Sequence, residues 1–190
     1  SPPGSFRPAT PRARDAGHAT VVTDWRSPNL ESNRTWLGLG FQAMFYRLPR
    51  AIRLAAEAAL RVGAGLVYVA THRDSAASVL AGRPEIICLP VGSSAELEDL
   101  VRNVDGVVVG PGLGKTAWAY GLWRQLVHTD VPLVLDADGL NLLAAEPMTR
   151  ERWVLTPHPG EAARLLGADG AEAVQRHRVP AAPTLASPYR

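Results

Sequence analysis

Apolar positions along the chain change their period several times, and those changes mark its elements. From Ala51 to Arg61 the run AIRLAAEAALR places Ile52, Ala55, Ala56, Ala59 and Leu60 on one helical face and Arg53, Glu57 and Arg61 on the other, which predicts a helix ending at Gly63. GLVYVAT, residues 65–71, is β-branched and aromatic and of strand length; after a polar stretch, EIICLP gives a second short apolar run. Strand and helix signals alternate from there. VDGVVVG (104–110) precedes a helical stretch from Ala117 to Leu126, VPLVLDA (131–137) precedes LNLLAAE, and WVLT (153–156) precedes EAARLLG. Near-continuous Val and Leu runs followed by helices indicate strands buried on both faces, hence an α/β fold with a mostly parallel sheet, flanking helices and right-handed crossovers. Residues 1–35 are rich in Pro, Arg, Ser and Thr and carry almost no apolar period, which predicts a linker or disordered arm before a domain over 36–190.

Composition narrows the classes. A chain of 190 residues with 46% hydrophobic content suits one domain with a sizeable core. The formal charge is +2 and the basic residues, nineteen Arg and the single Lys115, are spread along the chain, so no nucleic-acid partner is expected. The one cysteine, Cys88, sits within an apolar stretch; it excludes an intramolecular disulfide and points to a core thiol in a reducing cytoplasm. No apolar run approaches the roughly 20 residues that span a bilayer, and the start, Ser1 to Gly4, has no signal-peptide pattern. A soluble cytoplasmic protein without membrane contact is expected.

Loops that leave parallel strands at their carboxyl ends gather along one edge of the sheet, where open α/β sheets bind ligands. Three such loops are rich in Gly, Asp, Pro and His: GPGLG (110–114), DADGLN (136–141) and TPHPGE (156–161). GPGLGKT is not a Walker loop, because the glycine required five positions before Gly114 is Val109. Nor is it a Rossmann fingerprint, since the third glycine of Gly110, Gly112 and Gly114 arrives one residue early. What remains either brings backbone N–H groups close to an anion or nucleotide at a helix N-terminus, or is a tight turn that needs glycine for its angles alone. In DADGLN, Asp136 and Asp138 end a strand and Asn141 opens a helix; one carboxylate caps that helix, or the group forms a polar wall for ribose hydroxyls or a metal-bound phosphate. In TPHPGE, Pro157 and Pro159 stiffen the backbone around His158. Thr156 or His158 is placed to cap the next helix, and Glu161 falls in its first turn, where a carboxylate complements the dipole.

Together and in this order, these motifs resemble the ADP- or ATP-dependent NAD(P)H-hydrate dehydratase family, a carbohydrate-kinase-like domain of ribokinase-like fold. The similarity runs through AIRLAAEAALRVGAGLVYVAT, RPEI, VVVGPGLG, VLDADGLNLLA and LTPHPGEAARLLG, and more weakly through VQRHRVPAAPTLA. The resemblance implies a substrate, NADH or NADPH hydrated at the nicotinamide ring, whose hydroxyl is lost at the expense of ADP or ATP with Mg²⁺. Hydroxide is a poor leaving group, and phosphoryl transfer to it lowers the barrier to elimination. By motif match Ala51, Gly112 and His158 are the implied substrate contacts, with Gly110 and Gly114 shaping the same loop. Asp136, Asp138 and Asn141 come second, and Glu161 is a phosphate or metal candidate as readily as a cap.

Two departures qualify the resemblance. The family's Gly-rich loop before the Ala51 helix is replaced by FQAMFYRLPR, and its Lys-Gly-Ala-Gly-Thr and Gly-Ser-Gly-Asp segments, the latter carrying the catalytic base, are expected beyond residue 190. No catalytic residue is therefore assigned within the chain, and the sheet is expected to be incomplete, with an exposed last strand favouring self-association into a homo-oligomer. TPRARDA (10–16) resembles the connector that follows an epimerase in bifunctional members. Two other readings stay open: a ribokinase-like kinase of a small alcohol such as a vitamin precursor, and an inactive, truncated remnant that binds nucleotide or a partner.

Overall fold

The computed structural model describes residues 20–21, 41–46, 49–81, 83–176 and 178–189, with side chains from residue 51 onward except at 177–180. Its centre is a seven-stranded sheet in the order β1-β7-β6-β5-β2-β3-β4, and every pair in it is parallel. The strands are β1 (Thr20–Val21), β2 (Phe41–Tyr46), β3 (Leu66–Thr71), β4 (Ile87–Pro90), β5 (Gly106–Val109), β6 (Leu133–Leu135) and β7 (Trp153–Leu155). The helices are α1 (Pro49–Arg61), α2 (Arg73–Leu80), α3 (Glu98–Val101), α4 (Ala117–Val127), α5 (Asp138–Ala145), α6 (Pro159–Leu166), α7 (Ala171–Arg176) and α8 (Arg178–Ala186), with 3₁₀ turns at Ser94–Leu97 and Ser187–Tyr189.

The side-chain alternation of the strands divides the core in two. Val107 and Val109 of β5, Leu133 and Leu135 of β6, and Trp153 and Leu155 of β7 point to one face, where Leu122, Trp123 and Leu126 of α4, Leu140 and Leu143 of α5 and Ala162 of α6 cover them. Val67 and Val69 of β3 and Val108 of β5 point to the other face, against Ile52, Ala56 and Ala59 of α1 and Val79 of α2. The central strand β5 is buried throughout, as a strand covered on both sides must be. β6 and β7 differ from the expectation of two buried faces: their middle residues, Val134 and Val154, are only half-buried, because α1 and α2 lie over the β3 and β5 part of the sheet.

Helix α1 follows the predicted face, with Ile52, Ala56 and Ala59 wholly buried, while Leu54 is 65% exposed. Glu57 holds Arg53 and Arg61 one turn to either side on its outer surface. It starts two residues earlier than predicted, with a proline in its first turn, where a missing N–H costs nothing. β1 is a departure. Thr20–Val21 pairs with Val154–Leu155, so β7, expected to end the sheet unpaired, has a neighbour drawn from the segment that predicted no element. The rest of residues 1–35 lies outside the described residues.

Beyond α7 and α8 the chain returns to the core. Tyr189 accepts hydrogen bonds at its carbonyl from Trp153 Nε1 (3.0 Å) and Arg150 N (3.2 Å), and its hydroxyl donates to Leu165 O at 3.0 Å. Arg150 sends its guanidinium to the carbonyls of Leu126, Val127, Thr129 and Val131, which closes the carboxyl end of α4. No helix among the described residues is long and apolar enough to cross a membrane.

Candidate functional site

Strands β5, β6 and β7 are adjacent and parallel, so the three motif loops leave the sheet at one edge. There they are bonded to one another rather than merely close. Asp136 N donates to Val109 O at 3.1 Å, and Thr156 N donates to Leu135 O at 3.0 Å. Gly114 N donates to Asp138 Oδ2 at 2.8 Å, tying the first loop to the second. Arg164 Nη1 donates to Asn141 Oδ1 at 2.8 Å, tying the helix after the third loop to the helix after the second.

The glycines of the first loop have separate reasons. Gly110, Gly112 and Gly114 all have positive φ (125°, 76° and 79°), the region that L side chains resist. Gly110 also lies backbone to backbone against the DADG turn, where a Cβ would fall 1.7 Å from Asp136 O; a Cβ on Gly139 would meet Val109 O at 2.8 Å. Leu113 is wholly buried beneath the loop, and Pro111 and Gly112 form its half-exposed tip.

In the second loop neither aspartate caps α5. The N-cap position is Ala137, at φ 48° and ψ −115°, and it makes no side-chain cap bond. That strained backbone separates two carboxylates with different partners. Asp138 holds Gly114, while Asp136 accepts from Ala137 N and lies against the Thr156 hydroxyl, whose single proton is shared between this carboxylate and Leu135 O at 3.1 Å. Burial pushes the Asp136 carboxyl up, and the two hydrogen bonds and the nearby His158 pull against it.

The third loop is a capping box. His158 Nδ1 accepts from Gly160 N at 3.0 Å and Glu161 N at 3.4 Å, and Glu161 Oε2 accepts from His158 N at 2.9 Å. Of the two caps considered for α6, His158 is therefore the one used. Glu161 Oε1 lies 3.1 Å from His158 Nε2, so both carboxylate oxygens serve the histidine. Only 5% exposed, Glu161 has its carboxyl pushed up by burial and by the repulsion of Asp136, against the hydrogen bond from His158 N and the attraction of His158 and Arg164. The His158 side chain is 61% exposed.

Of the predicted residues, Gly110, Gly112, Gly114, Asp136, Asp138, Asn141, His158 and Glu161 thus share one rim. Ala51 belongs to the first turn of α1, which follows β2; β2 pairs with β5, so Ala51 lies at the same edge. Sequence reasoning missed Gly139, Ala137 and Arg164. Gly139 had a signal, a glycine directly after Asp138 where a helix begins. Ala137 had none, because nothing in an alanine announces a positive φ. The FQAMFY segment noted in place of a Gly-rich loop is β2, and Arg47–Leu48 between it and α1 lies outside the described residues.

Mg²⁺ takes few protein ligands and completes its shell with phosphate oxygens and water, so it would be held together with the nucleotide rather than by a cage of side chains. Among the described residues no group of three or more His, Cys, Asp and Glu side chains could hold a metal ion, and Glu161 spends its carboxylate on the cap. A cleft of about 220 Å³, lined by Glu57, Leu60, Arg61, Arg83 and Glu85, lies at the opposite edge, where α1 ends and β4 begins. Its charged groups pair with one another across the surface, and none of the motif residues reaches it.

Residues 46–190 match the model of the Carb_kinase family, NAD(P)H-hydrate dehydratase. The chain belongs to that family. It is 51% identical over 145 residues to a bifunctional NAD(P)H-hydrate repair enzyme Nnr of Coxiella burnetii, covering 76% of this chain and 30% of that protein. It is 42% identical over 137 residues to an ADP-dependent (S)-NAD(P)H-hydrate dehydratase of Neisseria meningitidis, covering 67% and 45%. The chain thus spans less than half the length of these curated relatives. Among the solved structures that share its fold are an ADP/ATP-dependent NAD(P)H-hydrate dehydratase from Bacillus subtilis co-crystallized with ATP/Mg²⁺ and soaked with CoA (TM-score 0.61, 24% identity, 79% of this chain and 58% of that one), and a ribokinase-like superfamily protein from Enterococcus faecalis (TM-score 0.62, 22% identity, 85% and 63%). The fold is ribokinase-like α/β.

Proposed function

We propose that this chain takes part in the dehydration of hydrated NADH or NADPH driven by ADP or ATP, and that its rim of three loops holds the hydrated dinucleotide. The observation that carries this reading is the meeting of GPGLG, DADGLN and TPHPGE at the carboxyl edge of β5, β6 and β7, with Gly114 N on Asp138 Oδ2 and the Thr156 hydroxyl against Asp136, where an open parallel sheet binds its ligand. Within the rim, the tip at Gly112 lets the ligand approach the backbone closely, and the exposed ring of His158 offers a flat surface with a fixed orientation. Ala51, in the first turn of α1, completes the line of contacts. Gly110 and Gly114 set the loop, and Asp136 and Asn141 support the adjoining turns.

The nucleotide, when bound, supplies the phosphoryl group that turns the ring hydroxyl into a leaving group. The chain's own residues orient the hydrated ring and keep it still while that happens, a contribution of position rather than of proton transfer. The family membership and the activities of the curated relatives support this reading against a kinase of small alcohols.

Calorimetric titration tests it. Hydrated NADPH, a thiazole alcohol and a pyrimidine alcohol are titrated separately into the chain, with Gly112→Val as control. Binding of the hydrated dinucleotide alone, weakened at least tenfold by Gly112→Val, is the expected result. Binding of an alcohol but not of the dinucleotide would overturn it.

A further inference from the structure

The GPGLG loop is held at both ends by different means. At its start, Gly110 is fixed by shape: the Asp136 carbonyl and the Gly139 amide stand where its Cβ would be, at 1.7 and 2.6 Å. At its end, Gly114 has no such neighbour, and nothing lies within 4 Å of a Cβ built there. Packing does not fix this end. The Asp138 carboxylate does, through a part-buried hydrogen bond of 2.8 Å from Gly114 N. Between the two anchors Leu113 is driven into the core, which leaves Pro111 and Gly112 as the tip.

We propose that Asp138 is a positioning residue that latches Gly114 and so presents Gly112 to the dinucleotide, rather than a contact to the ligand itself. The inference rests on the reading of this rim as the hydrated-dinucleotide site. Its reach depends on Ala137, whose φ of 48° and ψ of −115° turn the chain between Asp136 and Asp138 so that the two carboxylates serve different loops. The latch also limits what the loop binds. A carboxylate seated on Gly114 N keeps a phosphate oxygen from that amide, so the ligand's anionic groups do not use the Gly114 end and the uncharged hydrated ring meets the Gly112 end.

The test combines amide hydrogen exchange on the ligand-free chain with titration of hydrated NADPH, for Asp138→Asn, Asp138→Ala and Asp138→Glu. Asn keeps an oxygen at the same reach, Ala removes it, and Glu keeps the charge but misplaces the oxygen. Asp138→Ala and Asp138→Glu are expected to speed exchange at Gly114 and to weaken binding, each about tenfold, whereas Asp138→Asn restores both to within about threefold of the unsubstituted chain. Unchanged exchange at Gly114 in Asp138→Ala overturns the latch. So does a loss of binding in Asp138→Asn as large as in Asp138→Ala, or binding preserved in Asp138→Glu, since both are the mark of a charge that touches ligand. If the unsubstituted chain does not bind hydrated NADPH, the dinucleotide reading fails while the exchange measurements still decide the latch.

Discussion

Gly110 and Asp136 meet backbone to backbone: a methyl group on Gly110 would stand 1.7 Å from the Asp136 carbonyl oxygen. Neither side of that contact has a side chain that can swing away, and the φ of 125° at Gly110 adds strain for any L residue. Gly110→Ala is therefore expected to cost roughly 3 kcal/mol or more and to lower Tm by about 10 °C. Gly114→Ala, at φ 79° in open space, is expected to cost only about 1 kcal/mol. Thermal melts of the two variants check the order; equal losses would mean that close approach is not what closes the loops.

The Asp136 carboxyl gives a pH signature. Burial holds its pKa above the ordinary 3.8, so the folded state binds its proton more tightly than the unfolded chain does. The stabilisation from that proton is complete below the ordinary value and lost as pH rises through the folded one. Asp136→Asn, which cannot ionise, is expected to raise unfolding free energy by about 1 kcal/mol at pH 7 and to lose that advantage as the pH falls toward the carboxylate range. Urea unfolding at several pH values measures it, and a gain that does not vary with pH would contradict the account.

The sheet was legible from the apolar runs because a strand buried along its length has no polar positions to disguise it, as GVVV in β5 shows. Helix α1 was legible from its alternating faces. β1 was not, since two residues carry no period. In the rim, the sequence marked the residues but not their partners. The local pattern around Asp138 offers a cap or a ligand contact, while its partner, Gly114, lies 24 residues away in the chain, and no local pattern reports so distant a bond. His158 and Glu161 were legible as a cap because their bonds are local, three residues apart.

That cap fixes the state of the His158 ring. Nδ1 accepts two backbone N–H groups, so in the neutral imidazole the proton sits on Nε2, facing Glu161 Oε1 at 3.1 Å. Nitrogen NMR at a pH where the ring is neutral is expected to report the Nε2–H form. Glu161→Ala removes half of the capping box and is expected to cost about 1 kcal/mol and to leave the tautomer less biased. A ring protonated at Nδ1 in the unsubstituted chain would refute the assignment.

Arg150 closes the far end of α4 by bonding four carbonyls. Arg150→Ala is expected to cost about 2–3 kcal/mol, with faster hydrogen exchange confined first to the last turn of α4. Arg150→Lys recovers only part of this, because one ammonium cannot span the same set of acceptors. Exchange unchanged at residues 126–131 in Arg150→Ala would show that the carbonyls are satisfied by other means.

Because the described strands pair only in parallel, none of the seams between them forms from a hairpin, and each must await a crossover. The β1–β7 seam is the extreme case, joining Thr20 to Val154. Closing so large a loop for two residues of ladder yields little until the intervening strands are in order. The edge beside Val154 is thus completed late in folding, and for that interval a nascent chain offers β7 to any other strand that reaches it first.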